Sequence, residues 1–92
     1  MFGVRFLPGF KKSYKLMMKR GYDKSLIENV INKLLLGLPL DPHNKVHLLK
    51  GKFAGHFECH IKPDWLLIYY YDFDNQFLVL VDTGTHSDLF KK

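Results

Sequence analysis

The chain has 92 residues, of which 47% are apolar and 15% aromatic, and its formal net charge is +5. This length suits one domain covering residues 1–92, and the composition excludes a disordered chain. A small basic chain attracts polyanions, so RNA, DNA, an anionic membrane and an acidic protein are all candidate partners. The charge comes from 12 Lys and only two Arg, which favours contacts to a phosphate backbone over the reading of duplex sequence.

Cys59 is the only cysteine, so an internal disulfide is excluded and a reducing compartment is expected. No charged and then apolar leader opens the chain, and no apolar run approaches the length of a membrane span. We therefore expect a soluble cytoplasmic protein with no membrane partner.

The first half of the chain predicts one strand and two helices. Residues 2–7 (FGVRFL) form a short β-rich run, and residues 8–20 carry apolar side chains at i, i+4 and i+7 before a stop at Gly21. Asp23 is a candidate cap for a second amphipathic helix over residues 24–36. Because the link between the helices is so short, they form an antiparallel hairpin.

Three lysines, Lys12, Lys15 and Lys19, share one stripe of the first predicted helix. A stripe of this kind is usually a solvated face, which is the favoured interpretation. A ridge that faces phosphates is the alternative, given the excess of positive charge.

The second half reads as strands after a turn-forming segment at residues 40–46. Short links make consecutive strands antiparallel neighbours, and the run WLLIYYY lacks alternation, as a central strand should. A turn and a short helical segment, capped by Thr85 or Ser87, end the chain. The predicted strands are His47–Lys50, Phe53–Ile61, Trp65–Tyr71 and Phe77–Asp82. The fold class is therefore α+β, with the helical hairpin packed on one face of a mostly antiparallel sheet.

A strand over residues 53–61 places His56, Glu58 and His60 on one face, opposite an apolar face. Ionisable side chains on a strand face are better suited to a site than to a core. One interpretation is a metal site completed by His47 or His86, although no typical zinc spacing such as HExxH is present. The other is metal-free acid–base catalysis.

Cleavage of RNA needs a base for the 2′-hydroxyl, an acid for the 5′-oxygen and positive charge near the phosphate. Residue types alone leave the structural roles of these side chains equally open: Asp64 as a turn residue, Trp65 as core, His56 as an exposed strand residue. The candidates are His60, His86, Asp64, Lys50, Lys52 and Lys62.

Three segments in matching order change that balance: HLLKG at residues 47–51, ECHIKPDWLLIY at 58–69 and TGTHSDLF at 83–90. Together they resemble the YafQ branch of the RelE toxin superfamily. The resemblance implies a RelE-like fold of β-α-α-β-β-β order and a ribonuclease toxin that cuts mRNA in the ribosomal A site. It also implies a cognate antitoxin and a reaction that needs no metal or other cofactor.

Carried onto this sequence, the resemblance implies His86 as the general acid. His60 and Asp64 would activate or orient the 2′-hydroxyl and the phosphate, and His47 would assist at the phosphate or in proton transfer. Glu58 departs from the family pattern, being a longer carboxylate on the face of His60. The implied RNA-contacting set is Lys50, Lys52, Lys62, Trp65, Phe90 and Glu58.

Two other functions are compatible with the same fold. A ParE-like toxin binds a topoisomerase without catalysis, and a plain RNA-binding module uses lysines and aromatic side chains alone. The histidine set favours the nuclease, since a pure binder has no need of His60, Asp64 and His86 at motif spacing.

Overall fold

The computed structural model describes residues 2–90, which form five strands, three helices and two short 3-10 turns. The elements are β1 Gly3–Phe6, α1 Pro8–Lys19, α2 Lys24–Leu36, β2 His47–Leu48, β3 Phe57–Lys62, β4 Trp65–Asp72, β5 Phe77–Gly84 and α3 His86–Phe90, with 3-10 turns at Pro42–Asn44 and Gly51–Phe53. The sheet order is β1-β5-β4-β3-β2, with β1 parallel to β5 and the other pairs antiparallel. The predicted α+β fold is confirmed.

The helical hairpin follows from local signals in the sequence. Asp23 caps α2, because its Oδ1 accepts a hydrogen bond from the backbone N–H of Ser25 at 2.9 Å. Gly37 ends the helix in the left-handed conformation with φ 70°, which a residue without Cβ adopts freely. Both boundaries of α2 match the prediction, and α1 ends at Lys19, with Arg20 as its C-cap.

The main core lies between the hairpin and one face of the sheet. Its buried members are Phe10, Met17, Ile27, Val30, Leu34, Cys59, Ile61, Trp65, Leu67, Tyr69, Leu78 and Leu80. Trp65 packs edge-on against Tyr22, with ring centroids 5.0 Å apart, and its indole N–H donates to Thr83 Oγ1 at 3.0 Å. The thiol of Cys59 is part of this core, and its burial raises its pKa to about 12, which fits an inert side chain.

The opposite sheet face carries the polar residues singled out in the sequence. The strand register pairs Glu58 with Ile68 and His60 with Leu66. Ile68 and Leu66 are fully buried, outside the cluster beneath the helices. The helical hairpin therefore covers one face and leaves the other for a site, as the alternation of Glu58 and His60 with Cys59 predicted.

Strand β3 begins four residues later than predicted, which removes His56 from it. Gly51 and Gly55 have φ values of 69° and 85°, and a 3-10 turn begins at Gly51. Positive φ at both glycines breaks extended structure, so the strand starts only at Phe57. Strand β2 is also shorter than predicted, covering only His47–Leu48. Within residues 2–90, the helices are all too short or too polar to cross a membrane.

Candidate active site

A row of histidine and carboxylate side chains crosses the open sheet face. His47 Nε2 lies 3.2 Å from Glu58 Oε1, and His60 Nε2 lies 3.7 Å from the same oxygen. The ring centroids of His60 and His86 are 5.6 Å apart, and His86 Nδ1 is 2.5 Å from Asp64 Oδ1. Five residues from β2, β3, α3 and the turn before β4 therefore form one continuous cluster.

Strand pairing explains how this row is assembled. His47 and Glu58 are direct partners across β2 and β3, and Glu58 and His60 are two residues apart on β3, so they share a face. Asn44, in the 3-10 turn before β2, also holds β3, because its amide nitrogen donates to the carbonyl oxygen of His60 at 2.7 Å. The short edge strand β2 thus serves mainly to place His47 beside Glu58.

Glu58 is a buried carboxylate, with only 4% of its surface exposed. A buried charge must be paired or hydrogen-bonded to be tolerated, and the two imidazoles supply those partners. His47 Nδ1 also lies 3.1 Å from the carbonyl oxygen of Lys45, and His60 Nδ1 lies 3.3 Å from that of Pro63. Each ring therefore has a backbone carbonyl oxygen beside Nδ1 and the Glu58 carboxylate beside Nε2.

Asp64 holds His86 in a defined orientation. Its Oδ1 accepts hydrogen bonds from the backbone N–H of His86 at 2.9 Å and from the ring Nδ1 at 2.5 Å. Both bonds lower the pKa of the Asp64 carboxyl, and the bond from the backbone N–H has the larger effect. Because the carboxylate is charged at neutral pH, Nδ1 carries a proton and Nε2 is the ring atom left for a substrate. Half of the His86 side chain is exposed, so this atom is accessible.

Thr85 and Asp88 close the N-terminus of the helix that carries His86. The Thr85 hydroxyl accepts from the backbone N–H of Asp88 at 3.1 Å, and Asp88 Oδ2 accepts from the backbone N–H of Thr85 at 2.9 Å. Of the two predicted caps, Thr85 is therefore the one used. The Arg20 guanidinium and the Thr85 N–H hold the pKa of the Asp88 carboxyl well below its usual range.

Three lysines are the candidate phosphate-binding side chains. Of these, Lys62 follows an irregularity in β3, pairs with Trp65 across the sheet and lowers the pKa of Asp23, so it lies on the side of the helical hairpin. Lys50, Lys52 and Lys62 are exposed, and Lys52 Nζ lies 5.6 Å from the ring centre of Phe53. The ring of Phe53 meets Phe90 edge-on at 6.2 Å, and Phe90 is 38% exposed. Lys52, Phe53 and Phe90 thus combine positive charge with aromatic rings, the combination that suits single-stranded RNA.

The family described as "Bacterial toxin of type II toxin-antitoxin system, YafQ" matches residues 3–91. The chain belongs to this family. The mRNA interferase toxin YafQ of Escherichia coli K12 is 35% identical over 88 residues, covering 95% of this chain and 94% of that protein.

Solved structures agree with this assignment. A crystal structure of a metal-bound toxin from Helicobacter pylori is 39% identical, with a TM-score of 0.92 over 98% of this chain and all of that one. The YafQ of an E. coli DinJ–YafQ complex is 32% identical, with a TM-score of 0.88 over 98% of this chain and 99% of that one. Each match covers nearly the full length of both chains, so the likeness extends over the whole fold.

Two residues predicted to contact RNA have other surroundings in this YafQ-family toxin. Trp65 is 0% exposed and faces the helical hairpin, away from the histidines, so the prediction that it contacts bases is wrong. Glu58 is only 4% exposed, and its observed neighbours are His47 and His60, so little of its surface is available to RNA.

The metal interpretation built on His56, Glu58 and His60 is also corrected. His56 lies before β3, and its ring packs edge-on against Tyr70, with centroids 5.0 Å apart. Among residues 2–90, no group of three or more His, Cys, Asp or Glu side chains is arranged to hold a metal ion.

Replacing the buried carboxylate tests its action on the histidines. Glu58→Gln should lower kcat/KM for RNA cleavage by about 10- to 100-fold, since a charge-assisted hydrogen bond contributes roughly 1.5–3 kcal/mol. Steady-state kinetics and thermal unfolding check this together. Glu28→Gln is the matched control, because Glu28 pairs with Lys24 on an exposed helix face at 3.8 Å. Equal kcat/KM in both variants would show that Glu58 does not act on the site.

Proposed function

We propose that this protein is an mRNA interferase, a single-domain endoribonuclease toxin that cleaves mRNA by acid–base catalysis without a metal ion. The observation that carries the proposal is the His86–Asp64 pair beside His60, on a sheet face left free by the helices. The E. coli relative named mRNA interferase toxin YafQ supports the same reaction class.

In this mechanism His86 is the general acid. Protonated on both ring nitrogens, it gives the Nε2 proton to the 5′-oxygen that leaves. The ionised carboxylate of Asp64 stabilises the imidazolium and fixes its direction, as a positioned carboxylate does for other catalytic histidines. The short contact between Asp64 and His86 Nδ1 supports this assignment.

His60, placed by Glu58, orients or deprotonates the 2′-hydroxyl that attacks the phosphorus. His47 and the exposed lysines stabilise the negative charge that develops on the phosphate oxygens. Attack by the 2′-oxygen and departure of the 5′-oxygen give a 2′,3′-cyclic phosphate and a 5′-hydroxyl, with one proton accepted and one donated. Phe90 contributes a ring surface for an adjacent base.

The proposed setting is the cytoplasm, with mRNA on the ribosome as the substrate and a cognate antitoxin as the inhibitor. The E. coli relative is found in complex with the antitoxin DinJ. The charge of +5 suits both a polyanionic substrate and an acidic antitoxin segment.

The surface best suited to that antitoxin segment is a groove of about 1030 Å³ between α1, α2 and β1, on the side of the sheet away from the histidines. Its lining includes Phe10, Ile27 and Ile31, with Lys12 and Lys15 among the flanking cations. An apolar floor with a positive border matches an amphipathic helix with acidic side chains.

Reversing the charge of this border should weaken inhibition. With Lys12→Glu and Lys15→Glu together, we expect about tenfold more antitoxin to be needed for half-inhibition, because two favourable charge contacts become repulsive. RNA cleavage without antitoxin should stay at the parental rate. An unchanged titration with the cognate antitoxin would place the antitoxin elsewhere.

Mapping the ends of cleaved RNA tests the proposed function. Purified protein is mixed with a defined mRNA, with and without ribosomes, in excess EDTA. We expect cleavage to persist in EDTA, to leave 2′,3′-cyclic phosphate and 5′-hydroxyl ends, and to stop when antitoxin is added.

Two results would overturn this proposal. Cleavage abolished by EDTA would assign the histidines to a metal ion, a result that the metal-bound H. pylori relative makes worth testing. Growth arrest without any cleavage, even on ribosomes, would favour the non-catalytic topoisomerase-binding toxin.

A further inference from the structure

Helix α3, which carries His86, depends on side-chain contacts from other elements for its position. Helix α3 has only five residues, and none of them is buried. Helices of this length are unstable alone, because too few hydrogen bonds form to offset nucleation. The placement of His86 therefore depends on contacts made by side chains around α3.

One of these contacts comes from the far end of helix α1. Arg20, its C-cap, donates from Nη1 to Asp88 Oδ2 at 2.7 Å and from Nη2 to Asp88 Oδ1 at 3.3 Å. The two residues are 68 positions apart in the chain. A bidentate guanidinium–carboxylate pair fixes orientation as well as distance, which a lysine cannot do.

The contact continues from Asp88 to the residue beside His86. The Oδ2 atom that binds Arg20 also accepts the backbone N–H of Thr85, which immediately precedes His86. Gly84 leaves room for this arrangement, because a Cβ there would lie 2.9 Å from Asp88 Cβ. Arg20, Asp88 and Thr85 thus form a chain of direct contacts that ends at His86.

We propose that Arg20 is a positioning residue for His86, acting through Asp88 to hold helix α3 against the sheet. The inference rests on the proposed function of His86 in RNA cleavage. The pair is partly exposed, 38% for the Arg20 side chain and 31% for that of Asp88, so its contribution to global stability is small. Its effect is on the location of a catalytic group, where a shift of about 1 Å costs up to 10²-fold in rate.

The main alternative is that Arg20 binds RNA phosphate directly, and two substitutions distinguish the roles. Arg20→Gln removes the cation in either case. Asp88→Asn keeps an oxygen that accepts from Thr85, but it removes the charge that binds Arg20 and leaves the guanidinium free for phosphate. A positioning role predicts that both variants lose activity, whereas an RNA-binding role predicts that only Arg20→Gln does.

Steady-state kinetics on a defined RNA provides the first test. We expect both variants to lower kcat by about 10- to 100-fold with KM near the parental value, and Arg20→Lys to recover only part of the loss. The matched controls are Lys24→Gln and Glu28→Gln, which break a surface ion pair of α2 and should leave kcat unchanged. A raised KM in Arg20→Gln with parental kinetics in Asp88→Asn would overturn the proposal, as would parental kcat in both.

Backbone ¹⁵N relaxation of residues 85–90 provides a second test that does not depend on catalysis. Both substitutions should increase the fast motion of these residues while the amide shifts of the core strands stay unchanged. Residues 85–90 that remain as rigid as in the parent would overturn the proposal. A parent protein that fails to cleave RNA would refute the proposed function, and the relaxation data would still decide whether Arg20 holds α3.

Discussion

His86→Ala is expected to lower the rate constant for RNA cleavage by about 10²- to 10⁴-fold, the usual contribution of one positioned proton donor. RNA binding and thermal stability should stay near the parental values. Thermal stability should be unaffected because the His86 side chain is half exposed and lies outside the core. Single-turnover cleavage with saturating protein measures the chemical step directly.

A second histidine provides the control for this substitution. His43 is an exposed residue of the 3-10 turn Pro42–Asn44, so His43→Ala should cleave at the parental rate. Asp64→Asn should also slow cleavage, because an amide cannot stabilise the imidazolium as a carboxylate does. Parental cleavage by His86→Ala would refute its role as the general acid and shift attention to His60.

Local signals in the sequence were sufficient to predict most of the helices and strands. Asp23 and Gly37 define α2 through short-range capping, and the unalternating run after Pro63 marks the central strand β4. The start of β3 was misplaced because it depends on the positive φ at Gly51 and Gly55, and a glycine in a sequence does not reveal its φ.

The site was harder to predict because its decisive features are long-range. Trp65 belongs to a strand buried on both faces, so no alternation shows which face it occupies. The burial of Glu58 depends on strand pairing that brings His47 beside it. Arg20 was not singled out as a site residue, because nothing within its own helix indicates a partner 68 residues away.

The buried position of Trp65 leads to the reverse of the His86 prediction: substitution should lower stability strongly and leave the cleavage rate of the folded protein unchanged. Trp65→Ala should reduce the free energy of unfolding by about 3–5 kcal/mol, since it leaves a cavity under the helical hairpin. Trp65→Phe should cost less, about 1–2 kcal/mol, because the ring still packs against Tyr22 while the indole hydrogen bond to Thr83 is lost.

Urea unfolding followed by circular dichroism measures both variants, since Trp65 is the only tryptophan and its fluorescence disappears with it. At a temperature where Trp65→Phe is fully folded, its kcat and KM for RNA should match the parent, because a side chain beneath the helices cannot touch the substrate. A raised KM with unchanged stability would instead place Trp65 against a base and refute its assignment to the core. The two substitutions therefore separate a residue that builds the sheet from the histidines that the sheet presents.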